Sequence, residues 1–328
     1  MKYLALDAHT RTSELSVRNA RGRRIDCLPL LTEAHVLIDA IKGIPGEKTL
    51  VVEECNLAGW LKRTLEPYVT KFIVCDPKQN SWIAKDEQKD DPLDANKLSH
   101  LLYGGFLKEV YHPAEPQQCF KNLVLHYHRL TRSVVRYKNQ INAKYREQGL
   151  LCRSYLRQDI PRALDAIRTA EIEDLCDLLE ASEQIQKRAQ SRLRREARKF
   201  PQIARFQEMP GIGLIRAATF FSIVDTPFRF RSRSKIWTYC GLGLKTKMSG
   251  DRVFRQGPNH EYNRYLKSAA KQAAVDAIRQ EGRFQVQFER LVQRHTDPRQ
   301  ARVTVARSIV STMWSMWRTG ERYQPDMS

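Results

Sequence analysis

The first hundred residues contain three consecutive segments in which apolar and polar side chains alternate, and this pattern restricts the possible folds most strongly. Residues 2–8 (KYLALDA), 12–19 (TSELSVRN) and 24–30 (RIDCLPL) are predicted strands, with a hairpin turn at ARGR between the last two. Helical and strand-like segments then alternate, with predicted helices at 32–43, 57–68 and 91–105 and predicted strands at 49–55 and 71–77. This order predicts a mixed α/β sheet.

The next part of the chain has a helical period. Residues 115–149 are predicted to be one long helix, followed by a polar helix at 161–170 and a charged helix at 171–199. These helices would pack as an antiparallel hairpin or a coiled coil, and the heptads are too few to choose between the two.

The sequence pattern changes at 209–213 (MPGIG), near the start of the last part of the chain. Pro-Gly-Ile-Gly before a helix resembles a helix-hairpin-helix element, in which backbone N–H groups around Gly211 and Gly213 face a phosphate. Two more helices are predicted at 261–281 and 299–319. We expect three domains: a sheet domain at 1–112, a basic helical or coiled-coil segment at 113–200, and a mainly helical domain at 201–328.

The net charge of +19 is distributed unevenly along the chain. The first 100 residues carry 15 Lys and Arg and 15 Asp and Glu, so the whole excess falls on the rest. One-sided basicity of this size indicates a polyanionic partner, with nucleic acid the first choice. The candidate contact residues on the predicted basic helices are Arg129, Arg132, Arg136, Arg194 and Arg195.

The sequence gives no sign of export or of a membrane. It has no signal-peptide pattern at the N-terminus and no apolar run of membrane length, so we expect a cytoplasmic protein with no membrane contact. Seven scattered cysteines without a CxxC pair favour reduced and mostly buried thiols over a zinc site or a disulfide framework.

Four acidic residues in the first domain are candidate ligands for a metal. Asp7 interrupts an apolar strand, Glu53 ends another, and Asp91 and Asp94 share one face at the start of a helix. Each also has an ordinary explanation, since DPLD is a good helix start and the neighbouring Glu54 makes the choice of acid on the second strand ambiguous.

A second candidate site lies in LKTKMSGDRVF at 244–254. Ser249 stands before a glycine, and Lys245, Lys247 and Arg252 surround it, so it is either a turn serine or a nucleophile beside a phosphate. Further candidate contacts with nucleic acid follow at Arg255, Asn259, His260 and Arg264. Tyr239 and Tyr265 are rival nucleophiles, although their apolar helical patterns favour packing, and His260 is a candidate base or an exposed loop residue.

Taken together, these motifs are similar in order and over nearly the whole chain to the IS-one-ten family of insertion-sequence transposases, which includes the Piv-type DNA invertases. The motifs that carry the resemblance are LALDAHT, VVEECN, DDPLDANKL, MPGIG and FRSRSKIWTYCGLGLKTKMSG, which ends at Ser249–Gly250. The strand order likewise resembles the RNase H-like fold, and the four acids resemble the arrangement of RuvC-like nucleases.

The resemblance implies a specific chemistry. Asp7, Glu53, Asp91 and Asp94 would bind Mg²⁺, in all two ions, and Ser249 would attack DNA to form a covalent 5′-phosphoserine link. The helical segments would bind a structured bridge RNA whose loops pair with double-stranded donor and target DNA. Dimers would pair into tetramers, with the acids of one subunit meeting the serine of another.

The chain also departs from the family. Many relatives have Glu-Ala-Thr-Gly where this chain has Glu53-Glu54-Cys55-Asn56, and a Ser-Lys-x-Gly motif where it has Asn259-His260-Glu261-Tyr262. The departures affect the predicted DNA contacts and the need for a guide RNA more than the chemistry. Two other function classes therefore stay open: a RuvC-like nuclease that cuts DNA without a covalent intermediate, and a non-enzymatic nucleic-acid-binding scaffold.

Overall fold

The structure is a computed structural model that describes residues 1–77, 91–112, 115–162, 164–249, 252–258 and 261–325, without the side chains of 91–93, 244–249 and 252–258. It contains two compact units, Met1–His112 and Pro113–Ser328. Each unit has its own hydrophobic core.

A five-stranded mixed sheet forms the centre of the first unit. Its strands are β1 (Lys2–Ala8), β2 (Thr12–Arg18), β3 (Arg24–Leu31), β4 (Lys48–Glu53) and β5 (Lys71–Cys75), in the spatial order β3-β2-β1-β4-β5. β1, β2 and β3 pair antiparallel, whereas β4 lies parallel to both β1 and β5. The mixed sheet and all five strands expected from the sequence are confirmed.

Helices cover both faces of this sheet. Helices α1 (Ala34–Gly43) and α2 (Ala58–Leu65) pack on one face, where the core includes Leu4, Leu6, Leu50 and Val52. Helix α3 (Asp91–Gly104) packs on the other face against the alternate residues Ala5 and Val51. Burial on both sides explains why β1 and β4 read as nearly continuous apolar runs.

The second unit is almost entirely helical. Its helices are α4 (Glu115–Glu147), α5 (Ala166–Ala197), α6 (Pro201–Phe206), α7 (Leu214–Val224), α8 (Arg233–Tyr239), α9 (Arg264–Ile278), α10 (Arg283–Gln293) and α11 (Pro298–Thr319). Strands β6 (Leu244–Ser249) and β7 (Arg252–Pro258) form an antiparallel hairpin between α8 and α9. Helices α4 and α5 pack along each other through a seam that contains Val134, Ile141, Ile172 and Leu179.

The predicted pair of helices at 161–170 and 171–199 is wrong, because a single helix spans Ala166–Ala197. The Asp165 side chain accepts a hydrogen bond from the Arg168 backbone N–H at 2.9 Å and caps its start. No glycine or proline interrupts the following 32 residues, so nothing in the chain breaks the helix. The strands β6 and β7 and the helix α10 were not predicted.

None of the seven cysteines forms a disulfide, as expected, although only Cys75, Cys176 and Cys240 are buried. No helix in the described part of the chain is long and apolar enough to cross a membrane.

Candidate functional site

Asp7 and Glu53 lie at the same level on neighbouring parallel strands. Leu6 of β1 is in register with Val52 of β4, and each acid follows directly, so about 4.8 Å separates the two strands at this level. Side chains alternate along a strand, so both acids lie on the face of the sheet where Ala5 and Val51 contact α3.

Helix α3 runs antiparallel to β1, which brings its start to the same end of the sheet. The ring of Tyr103, near the end of α3, meets Tyr3 edge to face at 5.3 Å, and Ser99 shares a 3.0 Å hydrogen bond with Ser16. From Tyr103 back to Asp94 the helix extends about 14 Å, and from Tyr3 to Asp7 the strand extends about 13 Å. Asp94 therefore lies at the level of Asp7.

Among the residues whose side chains the structure describes, no three His, Cys, Asp or Glu side chains lie close enough together to hold a metal ion. The side chain of Asp91 is outside the described residues. Asp7 Oδ2 lies 3.4 Å from His9 Nε2.

Glu54, the alternative to Glu53 as a metal ligand, contacts a histidine side chain. Its Oε2 lies 2.6 Å from His112 Nε2 at the end of the first unit. Its backbone N–H donates to the Cys75 carbonyl at 2.9 Å, so the strand pairing continues to this residue. Because Glu54 is bound to His112, the arrangement favours Glu53 as the acid that faces α3.

Sequence reasoning missed a further carboxylate at this level. Glu14 of β2 is directly opposite Asp7 in the antiparallel pairing, and Ser16, two residues on, contacts α3. Glu14 therefore lies on the same face as Asp7. Burial, with the charge of Glu14 as the second cause, raises the pKa of the nearby Cys27 thiol. The sequence feature that could have revealed this carboxylate is the short turn after β1, because that turn sets the register of the β1–β2 hairpin.

Ser249 ends strand β6 and is paired with Arg252 across the hairpin. Lys247 is opposite Arg255, and the register shifts between Lys247 and Met248, which places a bulge beside the serine. The side chains of these residues, and of Lys245, are outside the described residues, as are Gly250, Asn259 and His260 altogether.

The base of this hairpin is fixed on both sides. Where β6 begins, the Leu242 carbonyl accepts a 2.7 Å hydrogen bond from Arg307 Nε of α11. Where β7 leads into α9, the Asn263 N–H donates to the Tyr239 carbonyl at 2.9 Å. Nearby, burial raises the pKa of Cys240 to about 12, so this thiol is a packing residue and not a competing nucleophile.

The MPGIG segment, where a helix-hairpin-helix element is predicted, forms a tight turn between α6 and α7. Gly211 has φ +76°, and a Cβ there would lie 2.4 Å from the Ala273 carbonyl of α9. Arg216 donates to both the Gly211 carbonyl and Asp276 at 2.6 Å. These contacts hold the turn against α9 along one side of an open cleft that Arg279 also lines.

The candidate arginines differ in their surroundings. Arg132 Nη2 donates to the Tyr265 hydroxyl at 2.8 Å, and Arg136 Nη2 donates to the Tyr137 hydroxyl at 3.2 Å. Arg195 contacts Glu196, while Arg129 and Arg194 are exposed. Tyr265 is thus engaged by Arg132, and Tyr239 packs on Phe230 with ring centroids 5.3 Å apart, so both favour a structural role over nucleophilic attack.

The unit with the mixed sheet carries the candidate acids, and the excess of positive charge on the rest of the chain indicates a polyanionic partner such as nucleic acid. Residues 203–289 match the model of the transposase IS116/IS110/IS902 family. They include the β6–β7 hairpin that carries Ser249, called the serine hairpin below. Over 119 residues the chain is 28% identical to the "Insertion element IS110 uncharacterized 43.6 kDa protein" of Streptomyces coelicolor. This similarity covers 36% of the chain and 29% of that relative. The two matches support an IS110-family transposase.

Proposed function

We propose that this protein is a DNA transposase that cuts and rejoins DNA through a covalent link between Ser249 and a 5′ phosphate. The observation that carries the proposal is the family match over residues 203–289, because strand β6, which ends at Ser249, lies inside it. The fixed base of that hairpin supports a positioned nucleophile over a mobile turn residue.

In this proposal the Ser249 hydroxyl oxygen attacks a phosphodiester phosphorus. A new oxygen–phosphorus bond forms, the bond from phosphorus to the 3′ oxygen breaks, and the serine proton leaves while the 3′ oxygen gains one. The phosphoserine keeps the energy of the broken bond, so a second 3′ hydroxyl can reseal the strand without ATP. Lys245, Lys247 and Arg252 would hold the phosphates beside the serine.

The proposed metal ligands are Asp7, Glu53, Asp91 and Asp94. Their oxygen donors suit Mg²⁺, and the shared level of Asp7, Glu53 and Asp94 at one end of the sheet supports a common site. Bound Mg²⁺ would neutralise negative charge at the reacting phosphate. The order β3-β2-β1-β4-β5 supports the RuvC-like part of the proposal.

A bridge RNA and a dimer or tetramer complete the proposal. The supporting feature for RNA is the 113–200 segment, which carries 18 Lys and Arg against 11 Asp and Glu and would bind the RNA backbone. In that case base pairing selects the DNA sequence, and the protein contacts backbone and shape.

A nuclease that uses water as the nucleophile is the alternative. It is favoured by one observation: the acids are arranged within the first unit, independently of Ser249. Such an enzyme would need Asp7 and Glu53 and would tolerate loss of the serine.

Covalent trapping distinguishes the serine transposase from the nuclease. The protein, co-expressed with its flanking RNA, is mixed with labelled donor and target DNA and Mg²⁺, and SDS-resistant protein–DNA adducts are measured. We expect an adduct in the wild type that is absent in Ser249→Ala and Asp91→Asn. Cleaved DNA without an adduct, equally abundant in Ser249→Ala, would show that the nuclease is correct.

A further inference from the structure

Two guanidinium groups from distant parts of the second unit are held around one tyrosine ring. The Cζ atoms of Arg132 in α4 and Arg264 in α9 lie 5.5 Å and 5.2 Å from the ring centroid of Tyr265. Arg132 also donates to the Tyr265 hydroxyl at 2.8 Å. Both guanidiniums therefore contact the same tyrosine side chain.

Neither guanidinium has a carboxylate within ion-pair distance in the part of the chain that the structure describes. Other cations of the same unit do: Arg157 contacts Glu173 and Asp177, and Arg168 contacts Asp165. Two like charges that contact one ring repel each other, and a bound phosphate would offset this repulsion.

The tyrosine that organises the two arginines is itself fixed. The His128 ring stacks on Tyr265 with centroids 4.8 Å apart, and His128 Nε2 lies 2.8 Å from Thr219 Oγ1 of α7. The Thr219 hydroxyl donates to the Ile215 carbonyl, so His128 is the donor to Thr219. Asn263 caps α9 by accepting from the N–H groups of Tyr265 and Leu266. The arginines are thus attached to a rigid junction of three helices.

We propose that Arg132 and Arg264 form one binding site for a phosphodiester group of a nucleic-acid strand, at the start of α9. Arg136, one turn further along α4, is held on the Tyr137 hydroxyl, and so extends the row of oriented guanidiniums toward a neighbouring phosphate. Helix α9 follows the β6–β7 hairpin that carries Ser249 directly in the chain. The inference deepens the proposed function and rests on it only for the identity of the strand.

Binding is measured on the full chain in a Ser249→Ala background with EDTA, so that no chemistry occurs. Fluorescence anisotropy with a short DNA duplex and, separately, an RNA hairpin gives affinity at roughly 50–200 mM salt. The test variant is the pair Arg132→Gln and Arg264→Gln. The matched control is the pair Arg205→Gln and Arg322→Gln, which also removes two charges from the same unit but from exposed residues outside the 113–200 segment that donate to the Gly320 carbonyl and to Glu208.

We expect the test pair to bind roughly tenfold more weakly and to reduce the slope of log affinity against log salt by about 1, because one phosphate contact is lost, with the control unchanged. A loss confined to DNA or to RNA identifies which strand occupies the site. Test and control slopes that agree for both polymers would overturn the proposal. Failure of covalent trapping with intact binding would instead count against the proposed chemistry alone.

A conservative pair covers the case in which the glutamine pair does not fold. Arg132→Lys with Arg264→Lys keeps both charges but loses the forked geometry of the guanidinium. We expect a wild-type salt slope with roughly threefold or greater loss of affinity. Wild-type affinity in this pair would show that oriented arginines are not required.

Discussion

Arg18 donates a 2.9 Å hydrogen bond from Nε to the Ser99 hydroxyl, and through this contact strand β2 holds helix α3. The same guanidinium donates to Oδ1 of Asn96 at 2.6 Å and to the Gly22 carbonyl at 2.7 Å. Burial, followed by the charge of Arg24, lowers the pKa of Arg18. One side chain thereby fixes the helix that carries Asp91 and Asp94.

Replacing Arg18 by Gln is expected to destabilise the first unit by about 2 kcal/mol, because several charge-assisted hydrogen bonds are lost and the Ser99 region is left partly unsatisfied. Urea unfolding followed by circular dichroism measures the change. Arg21→Gln, an exposed arginine in the same hairpin, is the control and is expected to stay within about 0.5 kcal/mol of the wild type. Equal stability of both variants would contradict the role of Arg18.

The two neighbouring glutamates are expected to respond differently. Glu53→Gln should reduce adduct formation at least about 100-fold, since a proposed metal ligand loses its charge. Glu54→Gln should reduce adduct formation by roughly tenfold or less, because Glu54 contacts His112 and affects the proposed metal site only by positioning the end of β4. Initial rates in the trapping assay, with Mn²⁺ affinity by calorimetry, separate the two. The reverse order would assign the site to Glu54.

His128 is expected to make stability depend on pH. Burial, with the charge of Arg132 as the second cause, lowers the pKa of His128 below its usual value near 6.5. As pH falls below about 6.5 the unfolded chain takes up a proton that the folded chain does not, so stability is lost toward acid. His128→Gln should flatten the thermal unfolding profile between about pH 7 and pH 5. His126→Gln, exposed on the same helix, should keep the wild-type profile; the same flattening in both variants would rule out His128 as the source.

Two glycines of one turn provide a matched comparison. Gly211→Ala should destabilise the second unit by about 2 kcal/mol or more, since the residue has φ +76° and its Cβ would meet the Ala273 carbonyl. At Gly213, φ is −84° and nothing lies within 4 Å of a Cβ, so Gly213→Ala should change stability by less than about 1 kcal/mol. Chemical denaturation of both variants tests this, and equal losses would disprove the close packing of the turn.

Local periodicity was enough to predict the strands of the first unit and most of the helices. Alternation in KYLALDA and the apolar run before Glu53 reflect burial on one or both faces, which acts within a few residues. The hairpin that ends at Ser249 was missed because LKTKMS and RVFRQGP have few apolar residues on either face. The helix Ala166–Ala197 carries most of its acids in its first half and most of its basic residues in its second, but no glycine or proline separates the halves, so this change of charge does not mark a helix boundary.

Contacts between residues far apart in sequence were beyond prediction. Arg18 meets Ser99 across 81 residues and Arg132 meets Tyr265 across 133, and no local pattern specifies either pair. The position of Glu14 beside Asp7 follows from the register of one hairpin, which requires the turn to be known first. The pairing of Glu54 with His112 likewise depends on where β5 ends and the chain returns.

The contact between Arg307 and the Leu242 carbonyl gives the last long helix a role in the serine hairpin, although the two are 65 residues apart in sequence. Trp237 Nε1, which donates to Ser311 Oγ at 2.9 Å, adds a second tie from the same helix. A chain that ended before Pro298 would therefore retain every motif by which the protein resembles its relatives. It would nevertheless lack the contacts from the last helix that support the hairpin of its proposed nucleophile. The smallest functional chain is therefore longer than the sequence motifs alone indicate.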